Sequence, residues 1–171
     1  MSRAGWIAVV VLVGLAGAIW LARRSPSLSP EARIRARFDE AARAAEKRRA
    51  DEVVEILSER FGGGGEGMRA DRDEVRRMLA LELLRGQWVS VSVTSARTIV
   101  DGSRARSNVD VLMSRSEDRR KGIAALLPGE AAAHRFELEL EEEKGEWRVV
   151  SGTWRQIGLA EAVAGPELPS W

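Results

Sequence analysis

The spacing of hydrophobic and polar positions changes along the chain, and each change predicts a different element. The chain begins with an uninterrupted apolar stretch, Gly5 to Ala22, that carries no ionisable side chain. At about 1.5 Å per residue, a helix of this length just crosses the roughly 30 Å hydrocarbon core of a bilayer. Trp6 and Trp20 stand near its ends, where indole rings suit the membrane interfaces. The pattern predicts one transmembrane helix within residues 1–24, which would hold the rest of the chain at a membrane surface.

A cleavable signal peptide is the alternative interpretation of the same stretch. Ile7 to Leu15 would form its apolar core, and Ala16-Gly17-Ala18 would form its small-residue cleavage site. The apolar run continues past that site through Ile19 to Leu21, so we favour a retained anchor. Arginines flank the run on both sides and leave its orientation open under the positive-inside rule. We expect an extracytoplasmic domain, because a short basic tail before an apolar run is typical of exported domains.

Helical spacing follows a short linker over residues 25–30. Ser29 is placed to cap the first helix, with Pro30 in its first turn. Asp51 can cap a second helix, which the glycine run Gly62 to Gly67 ends as a flexible loop. A third helix begins at Asp71 or Asp73 and ends at Gly86. The apolar residues at helical spacing are Ile34, Phe38 and Ala45 in the first helix, Val53, Leu57 and Phe61 in the second, and Val75, Leu79 and Leu83 in the third.

From Val89 onward the period changes to two, which indicates β-strands. The first two strands meet at a turn that contains Asp101 and Gly102. A two-residue loop would set Val93 opposite Asp110, whereas a three-residue loop over 101–103 sets Val93 opposite Val111 and Ile99 opposite Ala105. We therefore predict the longer loop, with Gly102 or Ser103 at positive φ.

A second hairpin follows an irregular connection over residues 117–132. Its turn is Lys144-Gly145, which sets Leu140 opposite Val149 and Glu141 opposite Arg148. Gly152 invites a bulge in the last strand. The tail over residues 158–171 is predicted to be loose. The residues that alternate on the third strand are Phe136, Leu138 and Leu140 on one side and Glu137, Glu139 and Glu141 on the other.

Composition excludes several classes of function. The whole chain has 27 basic and 26 acidic side chains, and three of the basic ones flank the apolar stretch. The remaining domain therefore has no basic excess, so we expect no nucleic-acid partner. There is no cysteine, which excludes disulfides, thiolate catalysis and zinc–sulfur sites, and there is no tyrosine to donate a phenolic proton.

The order of helices followed by two long hairpins resembles the nuclear transport factor 2-like (NTF2-like) superfamily, also called SnoaL-like or ketosteroid-isomerase-like. The resemblance runs from about Ala32 to Gln156, and its most recognisable part is the Trp-Arg-Val-Val strand at Trp147 to Val150. It implies an α+β domain over residues 31–157, with three N-terminal helices packed on a curved antiparallel sheet. Such a cone can hold an apolar ligand at its mouth, and its sheet face often forms a dimer. The fold alone assigns no activity.

Isomerase-type members of this superfamily use a carboxylate inside the cone as a general base. Here the strand glutamates alternate with apolar residues, and Asp110 stands between Val109 and Val111, so all of these acids are expected to point outward into solvent. His134, the only histidine, is expected to be structural, because a lone histidine without cysteine makes no metal site. We therefore expect no catalytic residue, no metal and no cofactor.

Two further patterns are candidate binding sites. Gly62 to Gly67 matches the dinucleotide-binding spacing Gly-x-Gly-x-x-Gly, but a predicted helix precedes it where such a site needs a strand. Four aromatic residues at strand positions are possible cavity-lining residues, although most such residues form plain core. These four are Trp88, Phe136, Trp147 and Trp154.

The sequence thus favours a membrane-anchored accessory or scaffolding domain without catalysis. It would bind a protein partner, a second copy of itself as a homodimer, or a small apolar ligand. The alternative is an isomerase, dehydratase or cyclase that acts on a hydrophobic small molecule in the cone. A cavity with an ionisable group at its base would favour the enzyme, and a filled cone with an exposed apolar patch would favour the partner-binding domain.

Overall fold

The computed structural model describes residues 28–65, 68–85, 88–115 and 131–170. The apolar stretch at residues 5–22 and most of the predicted connection after the second long strand lie outside these ranges. Within the described ranges, no helix is both long and apolar enough to cross a bilayer.

The first helix begins and packs as the sequence predicts. Helix α1 spans Pro30–Glu46, and the Ser29 side-chain oxygen accepts a hydrogen bond from the Ala32 backbone N–H at 3.2 Å. That bond satisfies one of the N–H groups that a helix start leaves without an intrahelical partner. Ile34 and Phe38 are buried on the face that packs into the core. The predicted cap and the predicted apolar face of α1 are therefore confirmed.

The predicted second helix is much shorter than its apolar spacing indicates. Helix α2 covers only Ala50–Val53, and one 3-10 turn follows over Val54–Ile56. The chain then becomes strand β1, Leu57–Gly65, so the prediction of a helix face through Phe61 is wrong. Pairing with a distant strand overrides the local helical pattern here.

The glycine run is a strand and not the predicted flexible loop. Gly62 to Gly65 pair in parallel with residues 151–154 of the last strand and antiparallel with β2, Met68–Asp71. A Cβ atom at Gly63 would lie 2.3 Å from the backbone oxygen of Gly152. The strands can approach this closely only because Gly63 has no side chain.

A six-stranded sheet forms the rest of the domain, in the order β2-β1-β6-β5-β4-β3. The later elements are α3, Arg72–Arg85; β3, Ser90–Asp101; β4, Arg104–Ser114; β5, Ala131–Glu143; β6, Glu146–Ile157; and α4, Leu159–Ala164. The fold is α+β, with helices packed on a curved sheet. The predicted all-antiparallel sheet is corrected to a mixed one, because β1 and β6 run parallel.

The β3–β4 hairpin has a shorter loop than predicted but contains the predicted Val93–Val111 pair. Asp101 pairs directly with Arg104, so the loop has two residues and Ile99 pairs with Arg106, not with Ala105. A bulge at Thr94 then shifts the register, and Val93 still lies opposite Val111. Gly102 has the predicted positive φ, at 58°. The bulge keeps the apolar residues on one face despite the shorter loop.

The β5–β6 hairpin confirms its predicted register. Leu140 pairs with Val149 and Glu141 with Arg148 across a turn in which Lys144 and Gly145 both have positive φ. The bulge lies at Val150 and not at Gly152, because Glu139 pairs with Ser151 while Leu140 pairs with Val149.

Different helices pack against the two faces of the sheet. The inner face packs against α1, the 3-10 turn and α3 through one large apolar cluster that includes Ile34, Phe38 and Leu140. The outer face carries a smaller cluster, in which Leu112, Ala133 and Ile157 of the sheet pack against Ala162 of α4. The C-terminal segment is therefore helical and packed over residues 159–164, and the prediction of a loose tail from Gly158 is wrong.

Candidate functional site

The large apolar cluster of packed side chains lies between the helices and the inner face of the sheet. Trp147 is 2% exposed and lies at the centre of the inner cluster. Phe136 and Trp154 are partly buried against the same cluster. Trp88 lies apart from these three, where its indole N–H donates to Glu82 at 3.1 Å and the guanidinium group of Arg115 lies 5.0 Å from its ring centre. Three of the four possible cavity-lining aromatics thus meet in the packed core.

His134 and the strand glutamates lie as their spacing predicts. His134 pairs with Val111 on the inner side of the sheet, and its ring centre lies 6.5 Å from that of Phe136. Phe136, Leu138 and Leu140 face the core, so the alternate glutamates point away from it. Glu139, for example, has a half-exposed side chain that pairs with Arg106 at 2.9 Å.

Asp110 departs from the prediction that every strand-borne acid is solvated. It points away from the helices, as expected, but its exposure is 0% because α4 and the residues after it cover this part of the outer face. Its two carboxylate oxygens accept hydrogen bonds from Arg135 at 2.8 and 2.9 Å. Asp110 is therefore buried on the outer face, in a two-point ion pair with the residue directly opposite it on β5.

Glu161 of α4 extends this ion pair into a network. Arg135 donates to Glu161 at 2.9 Å, and Arg155 donates to the same carboxylate at 2.5 Å. Arg135 and Arg155 are direct cross-strand partners on β5 and β6. Two like charges in that position repel each other, so Glu161 stabilises the sheet face by lying between them. The network explains why α4 docks at this place.

Hydrogen bonds within the network shift the pKa values of Arg135, Arg155 and Glu161. The hydrogen bonds to Asp110 raise the pKa of Arg135, and the hydrogen bond to Glu161 raises the pKa of Arg155. The hydrogen bond from Arg155 in turn lowers the pKa of Glu161. Arg135, Arg155 and Glu161 therefore keep their charges near neutral pH. Both Asp110 oxygens accept a hydrogen bond from Arg135, which is the arrangement of a structural ion-pair network.

Two concave surfaces of the described domain have linings rich in charged residues. An open trough of about 920 Å³ runs along the glycine strand, and its charged lining includes Arg69, Glu137 and Arg155. A smaller depression of about 250 Å³ lies between α1 and α2. Of the four aromatics considered in the sequence, only Trp154 lines either surface. The trough holds charges of both signs. It lies on the outer side of the sheet, whereas the cone lies on the inner side.

Helix α3 presents an apolar surface to solvent. Leu81 and Leu84 are 50% and 69% exposed, and they lie three residues apart on one face of the helix. The exposed residues Arg77 and Arg85 flank them on that face. We call these four residues the α3 surface. Exposed leucines grouped on one face and bordered by charge are typical of a protein interface.

The sequence did not identify the network or the α3 surface as candidate sites. The Asp110–Arg135 pair depends on the β4–β5 register, and a long connection of unpatterned sequence separates these strands. Glu161 lies in a segment whose short helix has too weak a pattern to predict. For the α3 surface a signal was present, since Leu81 and Leu84 fall outside the i, i+4 set of Val75, Leu79 and Leu83.

The comparisons with known proteins bear on the fold. No protein-family model matches the chain, and no curated protein matches it. Among solved structures, a protein of unknown function with a cystatin-like fold from Nostoc punctiforme is 11% identical, with a TM-score of 0.60, over 84% of this chain and 96% of that one.

Two further structures have the same architecture. An NTF2-like protein of unknown function from Pseudomonas putida is 10% identical, with a TM-score of 0.59, over 75% of this chain and 87% of that one. An NTF2-like protein with a cystatin-like fold from Novosphingobium aromaticivorans is 15% identical, with a TM-score of 0.56, over 85% and 90%. At these identities the likeness concerns the fold alone. The described domain has the α+β fold of the NTF2-like superfamily.

Proposed function

We propose that this chain is an accessory or scaffolding protein, held at a membrane by residues 5–22, whose NTF2-like domain binds a protein partner and performs no catalysis. The observation that carries the proposal is the position of the buried acid. Among the described residues, Asp110 is the only ionisable side chain that is fully buried. It lies on the outer face of the sheet, and both of its oxygens bind Arg135.

The packed interior supports the same conclusion. A general base must be within about 3 Å of the proton that it removes, so an isomerase-type enzyme of this fold needs such a base beside an open cone. Here inner-face side chains such as Ile34, Trp147 and Val149 are buried, each no more than 2% exposed. Neither concave surface of the described domain is lined by these residues.

The α3 surface is the part of the described domain best suited to a protein partner. Leu81 and Leu84 provide apolar area, and Arg77 and Arg85 favour acidic groups on the partner. Charge at the border of such a patch chiefly affects association rate and specificity, and burial of the two leucines adds a hydrophobic contribution to affinity.

Site-specific photo-crosslinking in cells of the source organism tests this assignment. A photoreactive residue at Leu84 is expected to give one defined protein adduct, and Leu81→Asp in the same chain should abolish it. The matched control places the photoreactive residue at the exposed turn residue Lys144, which should not give that adduct. An adduct that forms equally from both positions, or that survives Leu81→Asp, would contradict the assignment.

Ligand binding separates the proposed function from an enzyme of the same fold. We expect the purified full-length chain to show no saturable binding of a fluorescent apolar probe such as 1-anilinonaphthalene-8-sulfonate. If saturable binding occurs, and if Leu138→Trp abolishes it by filling the inner face, the cone is open and the isomerase-type function becomes the better assignment.

Membrane attachment is tested independently of the partner. The chain is expected to remain in the membrane fraction after alkaline carbonate extraction, and the double variant Val11→Arg/Val13→Arg should release it. A reporter fused after Trp171 tests the proposed extracytoplasmic location of the domain. Release of the unmodified chain by carbonate would overturn the anchor, and reporter activity only in the cytoplasm would overturn the location.

A further inference from the structure

The trough along the glycine strand lies on the part of the outer face that α4 does not cover. Helix α4 packs mainly on β4 and β5, whereas the trough lies mainly over β2, β1 and β6. Its volume of about 920 Å³ is in the range of ligand-binding clefts, roughly 300–1,000 Å³. Gly62 and Gly64 occupy successive outward positions of β1, and a Cβ atom at Gly62 would meet nothing within 4 Å. The floor of the trough is therefore bare backbone.

One line of cross-strand pairs crosses this floor. Gly64 pairs with Arg69 of β2 on one side and with Thr153 of β6 on the other. Thr153 pairs in turn with Glu137 of β5, and residues directly opposite each other share a face of the sheet. At about 4.8 Å between neighbouring strands, the Cα atoms of Arg69 and Glu137 lie about 14 Å apart. A cation and a carboxylate thus stand on opposite walls of the trough.

Most of the other charged side chains in the lining already bind groups of this chain. Arg135 and Arg155 bind Glu161, as described above. Asp71 and Glu74 each accept a hydrogen bond from the other's backbone N–H, at 2.8 and 2.9 Å, and so cap the start of α3. These four lining residues stabilise the domain and are not available to a ligand.

Arg69 and Glu137 remain available. Within the part of the chain that the structure describes, neither side chain forms a hydrogen bond or an ion pair, and both are exposed. Glu137 attracts Arg135 and Arg155 electrostatically without a hydrogen bond to either. Two unpaired charges of opposite sign at fixed positions are complementary to a ligand that carries both charges.

An extended peptide fits this arrangement. Such a chain rises about 3.3–3.4 Å per residue, so side chains four residues apart project from the same face and span about 13 Å. A glycine floor permits close approach of a second backbone, and the hydroxyl groups of Ser151 and Thr153 can hydrogen-bond to it. Of the described lining residues only Trp154 is aromatic, and it packs against the inner cluster, so the trough lacks an exposed ring on which a nucleobase would stack.

We propose that the trough binds an extended peptide segment of a partner protein, with one acidic and one basic side chain four residues apart. Arg69 binds the acid, Glu137 binds the base, and the peptide backbone crosses β1 and β6 over Gly64. None of the residues of the α3 surface lines the trough, so the failure of either assignment leaves the other standing.

Peptide titration of the purified full-length chain in detergent micelles, followed by ¹H–¹⁵N NMR, tests the proposal. The probe is a capped serine-rich peptide with one glutamate and one lysine four residues apart. We expect saturable shifts of the amide signals of Gly62 and Gly64. Gly102 and Gly145, at the exposed hairpin turns, are matched controls whose signals should not move. An isomeric peptide with the glutamate and lysine adjacent should bind about threefold more weakly or worse.

Single charge reversals test which residues recognise the peptide. Arg69→Glu leaves acids on both walls, so the chain should come to prefer a peptide with two lysines at the same spacing. Glu137→Arg should create the opposite preference, for a peptide with two glutamates, and each reversal should change relative affinity about fivefold. Arg97→Glu, at an exposed position of the far edge strand β3, is the matched control and should leave the original preference unchanged.

A third variant fills the trough without changing its charge. Gly62→Trp places a large side chain over the floor, where the structure has open space, and should abolish the peptide-induced shift of Gly64.

Three results would overturn the proposal. One is the absence of a saturable shift at Gly62 and Gly64 at peptide concentrations up to about 1 mM. Another is an unchanged peptide preference in both Arg69→Glu and Glu137→Arg. The third is an equal response of the hairpin glycines, which would mean that the peptide does not bind at the trough.

Discussion

The Asp110–Arg135 pair offers the sharpest test of how the outer face is stabilised. Replacing Arg135 with methionine keeps a long side chain but leaves the Asp110 carboxylate without either of its hydrogen-bond donors. Asp110 is 0% exposed, so water cannot replace Arg135 unless α4 and the residues after it detach from the sheet. We therefore expect Arg135→Met to destabilise the domain strongly.

The magnitude follows from the burial of the pair. Removing one partner of a buried ion pair costs about 3–5 kcal/mol, which is a large part of the ~5–15 kcal/mol that stabilises a typical domain. With a urea m-value of about 2 kcal/mol per molar, the unfolding midpoint should fall by roughly 2 M. Replacing both partners, as Asp110→Leu/Arg135→Met, removes the stranded charge and should cost only about 1 kcal/mol or less.

Urea unfolding of the purified full-length chain in a mild detergent, followed by tryptophan fluorescence, measures these values. Arg155→Met is the control, because Arg155 is 51% exposed and its ion pair with Glu161 should contribute little to stability. The reasoning is refuted if Arg135→Met costs no more than Arg155→Met. It is also refuted if the double variant is as unstable as the single one.

Three further changes test other parts of the domain. Gly63→Ala should destabilise the domain by about 1–3 kcal/mol or more, because the added methyl group overlaps the Gly152 backbone oxygen. Gly62→Ala should be nearly neutral in the same urea assay, because a Cβ atom at Gly62 meets nothing within 4 Å. The Arg155 hydrogen bond lowers the folded-state pKa of Glu161 below its ordinary value of 4.5, so the stabilisation of α4 is present above pH 4.5 and is lost as the pH falls through the folded-state pKa. Amide protection factors over residues 159–164 should therefore fall as the pH is lowered, and Glu161→Gln should remove that dependence. Ser29→Ala should cost about 0.5–2 kcal/mol through the lost N-cap, and no loss in the urea midpoint would contradict the capping role.

The parts of the fold that local rules determine could be predicted from the sequence. The Ser29 cap, the α3 boundaries and the Lys144-Gly145 turn each depend on a few neighbouring residues. The predicted pairs Leu140–Val149 and Glu141–Arg148 follow from that turn and are confirmed. In the first hairpin the wrong loop length gave the right Val93–Val111 pair, because the bulge at Thr94 compensates for one missing loop residue.

The parts that depend on distant contacts could not be predicted in this way. Residues 57–65 have helical spacing followed by glycines, yet they form a strand because Gly63 permits close packing against Gly152 of β6. Asp110 alternates with apolar neighbours as a solvated strand acid does, and the prediction that its side chain points away from the core is confirmed. Its burial depends on Glu161 and α4, which lie far along the chain. Alternation within one strand cannot predict such a distant contact.

The edges of the sheet restrict how this domain can bind a partner. The long edge strand β3 presents backbone groups that could pair with another strand, but side chains of α1 occupy some of them. Glu46 accepts a hydrogen bond from the Val91 backbone N–H at 3.1 Å, and Arg35 donates to the Val93 backbone oxygen at 2.9 Å. The other edge, β2, has only four residues. Strand addition is therefore disfavoured at both edges of the described sheet. The proposed protein partner would then bind a side-chain surface, so substitutions in the α3 surface should alter association without altering the fold.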